Sequence, residues 1–226
     1  IRMGLELRLT KNMVNAARYE MEEYEEASER DGVSDSELSR IGSSIASMRR
    51  LGDGIERWMS TEKKRLEENE ADDMLVNSSE LLQVLRSSLS SSLEGGGWEK
   101  GMSQLMRVLT EVRVEESGDD EDSETSCSRL FSFLDNLSRF ESSEAMALVF
   151  DLLVDEGRVT SCLLDPSVVS SELISSCSGS ILMSGTLHPT SMYADTLGID
   201  RDSSIEVIYS SPFSPDRRPA IIASDV

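Results

Sequence analysis

Through the first 140 positions, apolar residues recur every three or four places between serines and glutamates, the rhythm of amphipathic helices. Met13, Ala17 and Met21 follow Thr10, whose hydroxyl is placed to cap a helix. Leu38, Ile41, Ile45, Met48, Ile55 and Met59 form a second stripe, opened by Ser34 and Glu37 in the spacing of a capping box. The stripe lapses between Met48 and Ile55, where Gly52 and Gly54 stand, so a kink or break is expected there. "SSELLQVLRSSLSSSL" and "WEKGMSQLMRVLTEVRV" predict two further helices separated by "EGGG". "EESGDDEDSET" has no apolar residue to bury and predicts an exposed acidic loop. "CSRLFSFLDNLSRF" predicts a last helix with Leu130, Phe133, Leu134 and Leu137 on one face.

After Phe140 the rhythm changes. "AMALVFDLLV" and "VTSCLLD" are short apolar runs on either side of Gly157, which predicts two strands and a hairpin. "PSVVSSELISSC" predicts a helix opened by Pro166. "SGSILM" predicts a strand, and "PTSMYADTLG" a helix bounded by Pro189 and Gly198. "SIEVIYS" and "PAIIAS" predict two more strands. Strands alternating with helices indicate an α/β sheet, so the expected organisation is a helical block followed by part of an α/β domain.

The 226 residues are 38% hydrophobic and only 5% aromatic, so the core must rest on Leu, Met, Val and Ile. Twenty-two basic against 43 acidic residues give a formal charge of −21. That balance argues against non-specific adhesion to nucleic acid or anionic membrane, although it leaves room for a local basic groove. An acid-rich surface serves solubility or adaptation to a salty cytosol. Cys127, Cys162 and Cys177 are far apart, form no CxxC pair, and read as reduced thiols of a protein that is cytoplasmic, or nuclear if eukaryotic. No apolar run approaches the ~18 residues of a membrane span. Ile1 in place of a methionine, and Val226 inside an apparent strand, lead us to expect a piece of a longer protein.

Chemistry is concentrated in "ILMSGTLHPTSMYADTLG", Ile181 to Gly198. Ile181, Leu182 and Met183 are expected to form a buried strand, with Ser184 to Leu187 at its carboxyl end, where ligands gather in open α/β sheets. Ser184 and Thr186 present two hydroxyls able both to donate and to accept, and Gly185 between them lets the backbone bend. Such a pair suits a relay between polar partners, whereas nucleophilic chemistry lacks a base. His188 is the only histidine and no triad can be assembled around it. A serine–threonine turn ending a strand, with His188 a turn residue before Pro189, is the plainer reading of the same residues.

The same stretch resembles helicase motif III of the XPD-type, iron–sulfur DNA helicases of superfamily 2: an apolar strand, Ser-Gly-Thr-Leu, one residue, a proline, and a helix with a Met-Tyr or similar pair. "SCLLDPSVVSSELISSCSGS" is similar to the strand, Asp-Pro turn and helix preceding that motif. "SSPFSPDRRPAIIAS" resembles the entry to the family's second motor domain, and "ELRLTKNMVNAA" the segment just after its DEAH box. The long helical region falls where the family carries its Arch insertion. The resemblance implies an α/β motor-domain fragment, RecA-like and of the P-loop NTPase type, carrying a large all-helical Arch. Residues 1–8 would end one segment of the first motor domain and 9–142 would be the Arch. Residues 143–188 would return to the first motor domain with motif III, and 189–226 would begin the second.

The family's members are ATP-driven translocases that move 5′ to 3′ on single-stranded DNA and unwind the duplex ahead, with nucleotide excision repair as the type of pathway. The resemblance gives Ser184, Gly185, Thr186 and Leu187 the motif III role of coupling nucleotide state to the DNA-binding face. It implies ATP and Mg2+, a 4Fe–4S cluster, and as partners single-stranded and forked DNA and repair-complex proteins, with no membrane. The residues for the nucleotide and the cluster lie outside this chain: it contains no GxGKT loop, no DEAH and no four-cysteine cluster. The fragment alone is therefore expected to be inactive, with no catalytic residue and no metal ligand. Arg49 and Arg50, near Lys63, Lys64 and Arg65, are candidate phosphate contacts, or else partners of surrounding glutamates. Phe213 is a candidate base-stacking residue or a buried anchor. Two alternatives accompany this reading: a DinG-like helicase of the same superfamily, and a non-enzymatic helical interaction module in which Ser-Gly-Thr is a mere turn.

Overall fold

A computed structural model describes residues 7–90, 97–116, 125–140 and 143–210. Strand β1 (Leu7–Thr10) leads directly into helix α1 (Lys11–Arg30). The Thr10 hydroxyl accepts the Met13 N–H at 3.1 Å, the expected cap, and Val14, Ala17 and Met21 are buried. Helix α2 (Asp35–Glu68) runs unbroken through Gly52 and Gly54, so the expected kink does not form. The reason is packing. A Cβ on Gly54 would stand 3.0 Å from side-chain atoms of Val84 and Ser88, and one on Gly52 within 3.8 Å of Asn15 and Val14. Gly54 admits the neighbouring helix, which offsets its poor helix propensity, whereas at Gly52 a Cβ would make only ordinary van der Waals contact. The capping box is not made either. Ser34 stands at the cap, but its Oγ lies 3.1 Å from Ser36 Oγ, and its carbonyl, not its hydroxyl, receives the Glu37 and Leu38 N–H groups.

Strand β2 (Asp73–Val76), unexpected from the sequence, precedes α3 (Ser78–Leu89) and α4 (Trp98–Glu116). Helix α5 (Ser126–Arg139) buries Leu130, Phe133, Leu134 and Leu137 as its spacing predicts. Its first turn is held from a distance. Glu20 of α1 accepts the Ser126 N–H at 2.9 Å and the Cys127 N–H at 2.7 Å, placing a carboxylate on the positive end of the helix. Of "EESGDDEDSET", residues 117–124 lie outside the described residues.

The predicted hairpin is present as β3 (Met146–Leu153) and β4 (Glu156–Leu163), but its turn is Val154 and Asp155, both in the left-handed region at φ 48° and 68°, and Gly157 lies within β4 opposite Leu152. The sheet has the order β1-β4-β3-β2 and is antiparallel throughout. Leu9, Leu148, Phe150 and Val159 are buried on one face, in a single core with the helices, and Phe150 meets Trp58 edge-on at 6.3 Å.

Internal packing divides the chain into two units, residues 1–164 and 165–226. The first compact unit thus ends after the hairpin. The second unit contains α6 (Ser167–Ser176), α7 (Thr190–Thr196) and a 3-10 turn (Arg201–Ser203), with Pro166 and Pro189 at the two helix starts as predicted. The expected buried strand at Ile181–Met183 is absent: these residues are irregular, and Ile181 and Met183 are 85% and 84% exposed. The expected strand over Ser204–Ser210 is likewise irregular, with Ile205 and Tyr209 exposed. An apolar run becomes a buried strand only where another strand completes its ladder, and the described part of this unit supplies none. The predicted strand "PAIIAS" lies outside the described residues.

Candidate functional site

Local hydrogen bonds build the Ser184–Leu187 bend. Ser184 Oγ and Thr186 Oγ1 stand 3.1 Å apart, and Ser184 Oγ also accepts the Thr186 N–H at 3.2 Å. The Thr186 carbonyl accepts the His188 N–H at 2.9 Å and the Tyr193 hydroxyl at 3.4 Å. Around Gly185 there is open space, with no atom within 4 Å of where a Cβ would stand. Ser184, Gly185, Thr186 and His188 are exposed, while Leu187 is half-buried. Two hydroxyls that share one contact across an unencumbered glycine can each exchange that contact for another polar partner. With no base beside them, they offer hydrogen bonding rather than nucleophilic attack.

Helix α7 follows immediately and is tied on three sides. Thr190 Oγ1 donates to Glu206 Oε2 at 2.6 Å. Arg201 grips both carboxylate oxygens of Asp195 at 2.6 Å and reaches the Ser191 carbonyl. Gly198, at φ 64°, lets the chain close onto α6, where a Cβ would stand 3.0 Å from those of Ser167 and Ser171. The Ser170 hydroxyl donates to the Leu197 carbonyl at 2.9 Å. The hydroxyl pair is legible in the sequence, whereas Tyr193, seven residues beyond Thr186, is not. The only trace of it was the Met-Tyr pair in the helix.

The candidate DNA-binding arginines are occupied within the fold. Arg49 pairs with Glu22 of α1 at 2.8 Å, and this bond holds its pKa above the ordinary arginine value. Arg50 donates from Nε to the Ser88 carbonyl at 3.0 Å and from a terminal nitrogen to Ser47 Oγ at 2.9 Å. Lys63 pairs with Asp155 at 3.5 Å, and Arg65 with Glu62 at 3.1 Å and Glu80 at 3.3 Å. Most of this cluster ties elements together, with Arg65–Glu62 the local helical pair among them. Phe213 lies outside the described residues. A shallow cleft beside the hairpin turn, lined by Lys11, Glu56, Lys63 and Glu156, is spent in the same way: Lys11 pairs with Glu56 at 2.5 Å, and Glu156 accepts the Asn12 N–H at 3.0 Å.

The cysteines do not fit an iron–sulfur cluster. Cys127 is buried with its thiol toward the Ala17 carbonyl, Cys162 lies on β4, and Cys177 is exposed in the second unit. No group of three metal-ligating side chains occurs among the described residues. Among the same residues, no helix is long and apolar enough to cross a membrane. No protein-family model matches the chain, and no curated protein matches it either.

Proposed function

We propose that the chain is part of an ATP-dependent 5′–3′ DNA helicase of the XPD type, acting on single-stranded and forked DNA in repair. In this reading the helical block is the Arch that helps to enclose the strand, and Ser184–Leu187 couples ATP hydrolysis to unwinding. One observation carries it: the hydroxyls of Ser184 and Thr186 stand 3.1 Å apart and exposed across an open glycine. They lie in a stretch whose sequence resembles motif III in its Ser-Gly-Thr-Leu, the proline one residue on and the helix that follows. A coupling element needs polar groups that trade one partner for another as the nucleotide state changes, and these two meet that need. ATP and Mg2+ would bind residues outside this chain, and so would the cluster, whose ligands the three cysteines cannot supply.

The test is made in the complete protein containing this segment. Ser184→Ala combined with Thr186→Val should leave ATP affinity within about twofold and lower the base pairs unwound per ATP hydrolysed about tenfold, the worth of one or two hydrogen bonds. Equal loss of ATP binding and unwinding would count against a coupling role.

The exposure of Ile181 and Met183, with no strand beside them among the described residues, favours a second reading: a non-enzymatic helical interaction module. A complete protein without DNA-stimulated ATPase activity would decide for the module. A DinG-like enzyme would instead unwind DNA and differ in its cluster-cysteine spacing.

A further inference from the structure

We infer that Tyr193 is a positioning residue for the Ser184–Thr186 pair, and that α7 passes movement of the bend to the chain beyond it; this rests on the coupling reading above. The Thr186 peptide is the held part of the bend. Its N–H goes to Ser184 Oγ, and its carbonyl receives the His188 N–H and the Tyr193 hydroxyl. Gly185 is the free part, with nothing packed against it. If a nucleotide-sensing group takes the Ser184 or Thr186 hydroxyl, the 3.1 Å contact between them opens, and the backbone turns at Gly185.

Of the contacts on Thr186, only the one from Tyr193 comes from α7 itself. A helix of two turns moves as a body, and its other ties decide where the movement goes. Thr190 holds Glu206 at 2.6 Å, and Asp195 is held by Arg201 through Nε and a terminal nitrogen. Displacement of Thr186 therefore reaches residues 201–206 through Tyr193, α7, Thr190 and Asp195. The hydroxyl of Tyr193 works here only as a hydrogen-bond donor, so phenylalanine keeps the ring and removes the link.

The experiment uses the complete protein, measuring ATP hydrolysis with single-stranded DNA and unwinding of a forked duplex in parallel. Tyr193→Phe should hydrolyse ATP within about twofold of the unmodified protein and unwind about two- to tenfold fewer base pairs per ATP, the range of a single hydrogen bond. Its thermal midpoint should be unchanged. Thr190→Val, which leaves the Asp195–Arg201 tie in place, should give a smaller loss, and the double variant no more than the Tyr193→Phe loss, because the Thr190 bond lies downstream on the same path. An unchanged ratio in Tyr193→Phe, multiplicative losses in the double variant, or a loss matched by a fallen thermal midpoint would each overturn the inference while leaving the helicase reading intact. Absence of ATP hydrolysis and unwinding in the unmodified protein would remove both.

Discussion

At the scale of single residues, two glutamates of α1 show how placement decides the sign of a charge's contribution. Glu20 sits at the start of α5 with two N–H donors on its carboxylate, so its charge meets the positive end of a helix. Glu25 lies with its carboxylate against Gly42, 2.9 Å from where a Cβ would stand. Its pKa is raised first by burial and then by Glu29 and Glu22, with Arg49 opposing. A carboxyl whose pKa is higher folded than unfolded gives a stability contribution complete below the unfolded value and lost as pH rises through the folded one. At neutral pH the ionised Glu25 is therefore a liability. Glu25→Gln, which keeps the shape, should raise the melting midpoint by about 1–2 °C at pH 7 and have no such effect near pH 4. A gain of equal size at both pH values would show that charge is not its cause.

Elements were legible where their causes are local. Helix α1 follows from its spacing and the Thr10 hydroxyl cap, α5 from its spacing, and the hairpin from two apolar runs around a turn. The continuity of α2 was not legible, because what offsets the cost of Gly54 is Val84 and Ser88, thirty and more residues away. Strand β2 exists through its pairing with β3, and the burial expected at Ile181–Met183 would have required a neighbouring strand. The candidate site divides in the same way. Ser184 and Thr186 touch because they are two residues apart, whereas Tyr193 reaches Thr186 only through the path of the intervening chain. Contact between α3 and α4 gives the sharpest test at this scale. A Cβ on Gly101 would stand 2.2 Å from the Leu89 carbonyl oxygen, a backbone atom that cannot turn aside. Gly101→Ala should cost about 1–3 kcal/mol or more by chemical denaturation, whereas Gly179→Ala, in open space, should stay within about 0.5 kcal/mol. Equal costs for the two would refute the close approach of α4 to α3.

For the whole molecule, the governing quantity is the charge of −21. Even with every basic residue paired, the carboxylate surplus remains, and folding brings it into a smaller volume than the unfolded chain occupies. Salt acts on two opposing terms. It weakens the ion pairs that tie elements together, such as Arg49–Glu22 and Lys63–Asp155, but exposed pairs of this kind are worth only about 0–1 kcal/mol each. It also weakens repulsion among the surplus carboxylates, whose range shrinks from about 10 Å at 0.1 M to about 3 Å at 1 M. The crowding of Glu22, Glu25 and Glu29 along α1 shows that such repulsion is already felt in the folded state. Lysine is nearly absent, confined to Lys11, Lys63, Lys64 and Lys100, so the surface has few mobile cations of its own to spread among the acids. Repulsion should win. Raising potassium chloride from about 0.1 M to 2 M should raise the melting midpoint by about 10 °C, with most of the rise complete by 1 M, where screening is already short-ranged. Replacing the exposed Glu23, Glu26 and Glu29 by Gln should capture part of that gain at low salt. A midpoint that falls with chloride, or that rises only with sulfate, would mean that ion pairs or water exclusion govern the fold instead.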